Sequence, residues 1–173
     1  MEAAPDVVIR PAVPGDAARL LRLRRKLAAE TPFMLLEPSE CRHSARDEAQ
    51  RIRLFGARPH SLILVAEQGR VLVGTLAAIG DDLQRLRHAA ALALGVAQTH
   101  WGCGIGSRLI ETAVAWSREQ GIRRLELTVP TINLRAIALC LRAGFQVEGL
   151  RRASLALEGC YVDEYLMSAI ERV

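Results

Sequence analysis

The sequence predicts a single α/β (α+β) domain over residues 1–173, a mixed, mostly antiparallel sheet of about seven strands with helices on both faces. Three observations lead there. The patterned segments follow the order βα, α, βββ, α, β, α, ββ, which suits a mixed sheet packed between helices. Half of the 173 residues are hydrophobic, ample for one buried core. No repeat, linker or low-complexity tract divides the chain.

Residues 7–10 form a short β-branched strand, and Pro14-Gly-Asp16 punctuates before a helix over 16–29. In that helix Ala17, Leu20, Leu21, Leu23 and Leu27 mostly share one stripe, and Thr31-Pro32 stops it. Residues 33–42 are Pro-interrupted and read as a loop of the kind that lines sites; Ser44 caps a charged helix reaching about Phe55. Strands over 61–67 and 71–79 flank the hairpin signal Gln68-Gly69-Arg70, and a third apolar run covers 88–96. Ile105, Leu109, Ala113 and Trp116 give the next helix one buried face, ending at Gly121. A strand over 124–129 follows. Asn133 caps a helix through Ala143, with Gly144 as left-handed C-terminal cap, and strands over 146–157 and 161–169 flank Glu158-Gly159.

The most informative stretch is Leu94-Gly-Val-Ala-Gln-Thr-His-Trp-Gly-Cys-Gly-Ile-Gly-Ser107, a strand entering a Gly102-x-Gly104-x-Gly106 turn that opens into a helix. Glycines let backbone N–H groups converge, and a helix N-terminus adds about half a positive charge, so the turn suits a phosphate. The plainer alternative is a tight strand-to-helix connection.

Net charge is +4, carried almost wholly by scattered Arg, with Lys26 the sole lysine. Aromatic content of 4 % and the lack of a basic stripe argue against nucleic acid, while the surplus suits a small polyanion. Cys41, Cys103, Cys140 and Cys160 form no C-x-x-C pair, so neither a metal site nor a disulfide framework is expected. Free thiols, an N-terminus without a basic-then-apolar leader, and the absence of a membrane-length apolar run point to a cytoplasmic protein with no membrane partner.

The residues from Val96 to Gly106, those from Asn133 to Phe145, and Glu158-Gly-x-Tyr-x-Asp-Glu-x-x-Met167 together resemble the GNAT N-acetyltransferase superfamily. The resemblance covers essentially the whole chain. Glu30-Thr-Pro-Phe-Met-Leu35, Trp-Gly-x-Gly-Ile-Gly and Leu125-Glu-Leu-Thr-Val129 resemble its bacterial branch that includes L-amino-acid N-acetyltransferases. It implies a GNAT-like fold, acetyl-CoA as co-substrate, a small-molecule amine as acceptor and a homodimer as one assembly. By resemblance, Trp101, Gly102, Cys103, Gly104, Ile105, Gly106 and Ser107 belong to the pyrophosphate cradle. Leu94, Gly95 and Val96 would offer backbone groups to the pantetheine amides and the acetyl carbonyl, with the oxyanion held near Val96. Asn133 would cap its helix and also meet the cofactor, and residue 140, seven positions on, would share its face.

Two positions depart from the superfamily pattern. The Tyr that protonates the departing CoA sulfur is Cys140, in Leu139-Cys-Leu-Arg-Ala-Gly-Phe145, and the position of a Glu that helps deprotonate the amine corresponds to Ala91. Acid or base help is worth about 10²–10⁴-fold, whereas orienting two reactants contributes roughly 7–11 kcal/mol, so catalysis survives such losses. Cys140 is one candidate donor and a small core residue otherwise; Glu30, Asp163 and Glu126 are candidate replacement bases with structural roles as their alternatives. His88 and His100 are open in the same way. Without a strong base, an α-amine with a pKa near 8 suits the site better than a lysine near 10.4. The expected function is acetyl transfer to the α-amino group of an amino acid or similar small molecule. The alternatives are an acyl-CoA-binding or sensing module with weak catalysis, and an N-terminal protein acetyltransferase.

Overall fold

The computed structural model describes residues 6–171, so the leader reading at residues 1–5 lies outside the described residues. Strands β1 (Val7–Pro11), β2 (Ser61–Gln68), β3 (Val71–Gly80), β4 (Ala89–Val96), β5 (Arg124–Pro130), β6 (Gln146–Leu157) and β7 (Cys160–Ile170) form one sheet. Its seven strands run in the order β1-β2-β3-β4-β5-β7-β6. Neighbours are antiparallel except β4 and β5, which are joined by a helical crossover. The fold is the one the sequence predicts.

Period-two alternation splits the strand side chains between two cores. Ile63, Val65 and Ala77 face α1 (Ala17–Glu30) and α2 (Ala45–Gly56). Leu64, Ala66, Leu76, Ala78, Ala90 and Leu92 face α3 (Ile105–Glu119) and α4 (Leu134–Arg142), with Phe145 and Met167 fully buried beside them. On α3 the buried face is set by Ile105, Leu109, Ile110, Ala113 and Ser117, whereas Trp116 is only half-buried.

Local details depart from the sequence reading. Residues 14–16 form a 3₁₀ turn, and Asp16, read as the first helical residue, is instead the fully buried N-cap of α1. Its carboxylate accepts from Arg10 at 2.8 and 2.9 Å, from the Val13 backbone at 2.9 Å and from Arg19, tying β1 to α1. A second 3₁₀ turn, Pro38–Glu40, interrupts the loop. β6, read as one uninterrupted strand, carries two register shifts against β7, and Ala153 within it has φ +47°.

Candidate active site

At the end of β4 the Gln98–His100 3₁₀ turn leads to Trp101, whose indole Nε1 donates to the Val96 carbonyl at 2.7 Å. Gly102 and Gly104 have φ of +78° and +76°, a left-handed backbone that favours glycine, and Gly104 is the N-cap of α3. Gly106 has a different role. A Cβ there would stand 2.9 Å from Leu139 Cδ2, so glycine lets α4 close against the start of α3.

A glycine cap has no side chain to accept the first helical N–H groups. The first bond inside α3 runs from Arg108 N to Gly104 O at 3.1 Å, which leaves the N–H groups of Ile105, Gly106 and Ser107 without helical acceptors. The other long helices with side-chain caps show the contrast. Ser44 Oγ accepts from Asp47 N at 3.2 Å at the start of α2, and Asn133 Oδ1 accepts from Ala136 N at 3.2 Å at the start of α4. Donors aligned with a helix dipole and lacking side-chain partners make an anion site.

Beside this terminus the sheet opens. β4 pairs with β5 only from Ala89 to Ala91, against Arg124 to Glu126; beyond that rung β5 stays paired with β7 while β4 pairs only with β3. Ala97 N donates to Val73 O at 2.8 Å, so alternate N–H groups along β4 turn to β3. The last rung, Ala91 against Glu126, uses the Leu92 N–H, so those of Leu94 and Val96 face the opening with no ladder partner there. Gly95 lies on the α1 side, where a Cβ would meet Leu27 Cδ1 at 2.7 Å and Met34 Sδ at 3.4 Å. Ala91 and Ala93, on that same face, are exposed.

The candidate acid and base groups do not converge. Cys140 is 3 % exposed inside the α3–α4 core, and burial pushes its thiol up to about 11, above the range of a free thiol. Glu30, at the end of α1, accepts from Gln98 N at 2.8 Å and pairs with Lys26 at 3.6 Å, so it ties α1 to the turn after β4. Asp163, on the α3–α4 side of β7, accepts from Ala153 N at 2.7 Å and pins the shifted part of β6. Glu126 is the register partner of Ala91 and shares its face. Arg124 Nε donates to Glu126 at 2.8 Å while its two terminal nitrogens donate to Glu148 at 2.9 and 2.5 Å. With Ser168 Oγ also donating at 2.6 Å, these bonds hold Glu148 down to about 2, the Arg124 contact being the larger cause. His100 bonds to Gln68 through Nε2 at 2.9 Å, and His88 is exposed.

Sequence reasoning missed one group beside the turn. The Arg135 guanidinium, from the first turn of α4, lies 4.9 Å over the Trp101 ring. The contact joins residues far apart in the chain, and no local pattern signals it.

An open strand edge beside an uncapped helix N-terminus defines a site for an extended ligand with an anionic end. The model of the Acetyltransferase (GNAT) family matches residues 25–145, and the chain belongs to that family. The chain is similar to N-acetyltransferase 8F1 of Rattus norvegicus, 33 % identical over 94 residues, which are 53 % of this chain and 42 % of the relative. It is also similar to N-acetyltransferase 8B of Rattus norvegicus, 30 % identical over 113 residues, 64 % of this chain and 50 % of the relative. The chain thus spans half or less of the length of these curated relatives. Among solved structures it is similar to an acetyltransferase of the GNAT family from Streptococcus pneumoniae, with 30 % identity and a TM-score of 0.92 over 95 % of this chain and 99 % of that one. A phosphinothricin acetyltransferase from Sinorhizobium meliloti, solved in complex with acetyl-CoA, shares the fold at 20 % identity and a TM-score of 0.83, over 95 % and 88 % of the two chains.

Proposed function

We propose that the protein transfers the acetyl group of acetyl-CoA to a primary amine, the α-amino group of an amino acid or a similar small molecule. The observation that carries this reading is the uncapped N-terminus of α3 lying next to the open edge of β4. Family membership supports the acyl chemistry. Backbone N–H groups of residues 102–107 hold the pyrophosphate, and Leu94 and Val96 offer N–H groups along the pantetheine arm. Bound acetyl-CoA supplies an activated thioester. The amine nitrogen attacks the carbonyl carbon, the C–N bond forms, the C–S bond breaks, the nitrogen releases its proton to water, and a β4 N–H group meets the charge developing on the carbonyl oxygen.

Acid and base help is sparse. A Cys140 thiol near 11 is a weaker acid than the departing thiol, whose ordinary pKa is about 8.5, so the sulfur leaves as thiolate and takes its proton from water. Ala91 offers no base, which favours an acceptor already partly neutral at pH 7, such as an α-amine. The Trp101-Gly-x-Gly-Ile-Gly turn supports the amino-acid branch by resemblance.

The test is thermal shift with CoA and acetyl-CoA, then thiol release with free amino acids, short peptides, Nα-blocked lysine and an aminoglycoside. Stabilisation by CoA and release with amino acids are expected. Lysine or aminoglycoside turnover far above any α-amine would sink the acceptor assignment. CoA binding without release for any amine would favour a binding module instead.

A further inference from the structure

We propose that Arg135 is a phosphate-binding residue of the cradle, held ready by Trp101; this deepens the CoA reading and rests on it. The turn from Trp101 to Ser107 contains no Lys or Arg, although the phosphate end of CoA is polyanionic. The first cation after it, Arg108, donates Nη2 to the Val7 carbonyl at 2.8 Å and is committed to β1. Arg135 is what the fold brings to the turn instead. Its guanidinium carbon sits 4.9 Å from the centroid of the Trp101 ring, and Trp101 immediately precedes Gly102. The indole is itself anchored, Nε1 donating to Val96 O at 2.7 Å, so the stacking surface is fixed relative to β4.

Three features argue for a ligand rather than a structural role. Arg135 is exposed, and among the described residues no carboxylate pairs with it and no protein acceptor takes its N–H groups, unlike Arg10, Arg19, Arg51 and Arg124. It stands in the first turn of α4, where a cation opposes the helix dipole, so it does not stabilise its own helix. A guanidinium held over an indole makes no hydrogen bond to it, so its N–H groups keep their capacity to meet phosphate oxygens in a bidentate fork. Leu139 against Gly106 holds α4 to the start of α3, so the Arg135 edge and the free N–H groups of 105–107 belong to one rigid surface.

The experiment is calorimetric titration with CoA and with 3′-dephospho-CoA, at one fixed salt concentration. Arg135→Ala, Arg135→Lys and, as an equal charge change at the far end of α4, Arg142→Ala are compared with the unsubstituted protein. Arg135→Ala is expected to weaken CoA binding roughly ten- to hundredfold, with Arg135→Lys between it and the unsubstituted protein. Arg142→Ala stays within about twofold. In turnover, KM for acetyl-CoA rises with kcat little changed, as for a uniform binding contact. A loss confined to CoA assigns Arg135 to the 3′-phosphate, and an equal loss for both ligands assigns it to the pyrophosphate; either supports the inference. Arg135→Ala binding CoA like the unsubstituted protein, or Arg142→Ala falling as far as Arg135→Ala, would overturn it while leaving the CoA reading standing. Failure of the unsubstituted protein to bind either ligand would overturn both.

Discussion

Asp16 carries more than its own helix. Its side chain is fully buried, yet it is charged, because Arg10 donates two bonds to it and Arg19 a third, with both arginines shared by Glu67 on β2. The Arg10 bonds, ahead of the opposing burial, hold its carboxyl well below the usual carboxylate range. Asp16→Asn should destabilise the fold by about 2–3 kcal/mol at pH 7, less than a fully buried pair because the arginines are partly solvated. A depressed folded pKa gives stability that is full above the unfolded value near 4 and drains away as pH falls toward the folded one. Urea unfolding should therefore show a constant gap between Asp16→Asn and the native protein from pH 7 to about 4, closing only below. A gap that closes between pH 7 and 5 would contradict this assignment. Cys140 makes the opposite case, a group kept neutral by burial. Alkylation at pH 8 followed by mass mapping should label exposed Cys103 and Cys160 while Cys140 stays unmodified. Cys140→Ala should change kcat by less than about tenfold, below the roughly hundredfold at the lower edge of what general acid help contributes.

The start of α3 separates two reasons for glycine that look identical in sequence. At Gly104 nothing lies within 4 Å of an added Cβ, so Gly104→Ala meets only the left-handed backbone at φ +76°, a cost of about 1–2 kcal/mol. At Gly106 the backbone is helical and the obstacle is Leu139. Gly106→Ala combined with Leu139→Ala should therefore be less destabilising than the sum of the single changes, by roughly 1 kcal/mol, whereas Gly104→Ala with Leu139→Ala should be additive. Thermal denaturation of the set measures both couplings. Elements of this kind were legible where a repeat or cap announced them: the α3 stripe through Leu109, the Ser44 and Asn133 caps, the Gln68-Gly69-Arg70 hairpin. What stayed hidden depends on partners far away in sequence. Asp16 reads as a helix start until Arg10 and Glu67 close around it, and Asp163 reads as a candidate base until Ala153 turns its N–H toward it. Arg135 is an ordinary helical arginine until Trp101 is seen beneath it. The glycine turn was legible as the opening of a helix, but the separate duty of Gly106 was not.

At the scale of the whole molecule, the sheet divides the site into two halves that meet at one gap. The uncapped α3 terminus, α4 and Arg135 lie on one side with the larger core, while Met34, Ala91, Ala93 and Glu126 lie on the α1 side; the parting of β4 from β5 after Ala91 is where both become accessible. This division follows from the topology. β4 is bonded to β3 along its length and to β5 for three residues; in the proposed function its open edge takes acetyl-CoA and its exposed small side chains face the amine. Ala93 is the sharpest probe of that separation, since it lies past the last shared rung, is exposed, and pairs in register with Ala77 on the α1 side. If the amine of the proposed function sits on this face, Ala93→Leu adds bulk against it without touching the strand edge or the glycine turn. The thermal shift with CoA should be preserved, while the KM for the amine rises by about tenfold or more through steric exclusion. If the shift with CoA disappears and amine KM is unchanged, acceptor and nucleotide share one face and the two-sided arrangement is wrong. Preservation of the CoA shift in Ala93→Leu together with its reduction in Arg135→Ala would show that each half can be weakened alone, as a sheet with one gap requires.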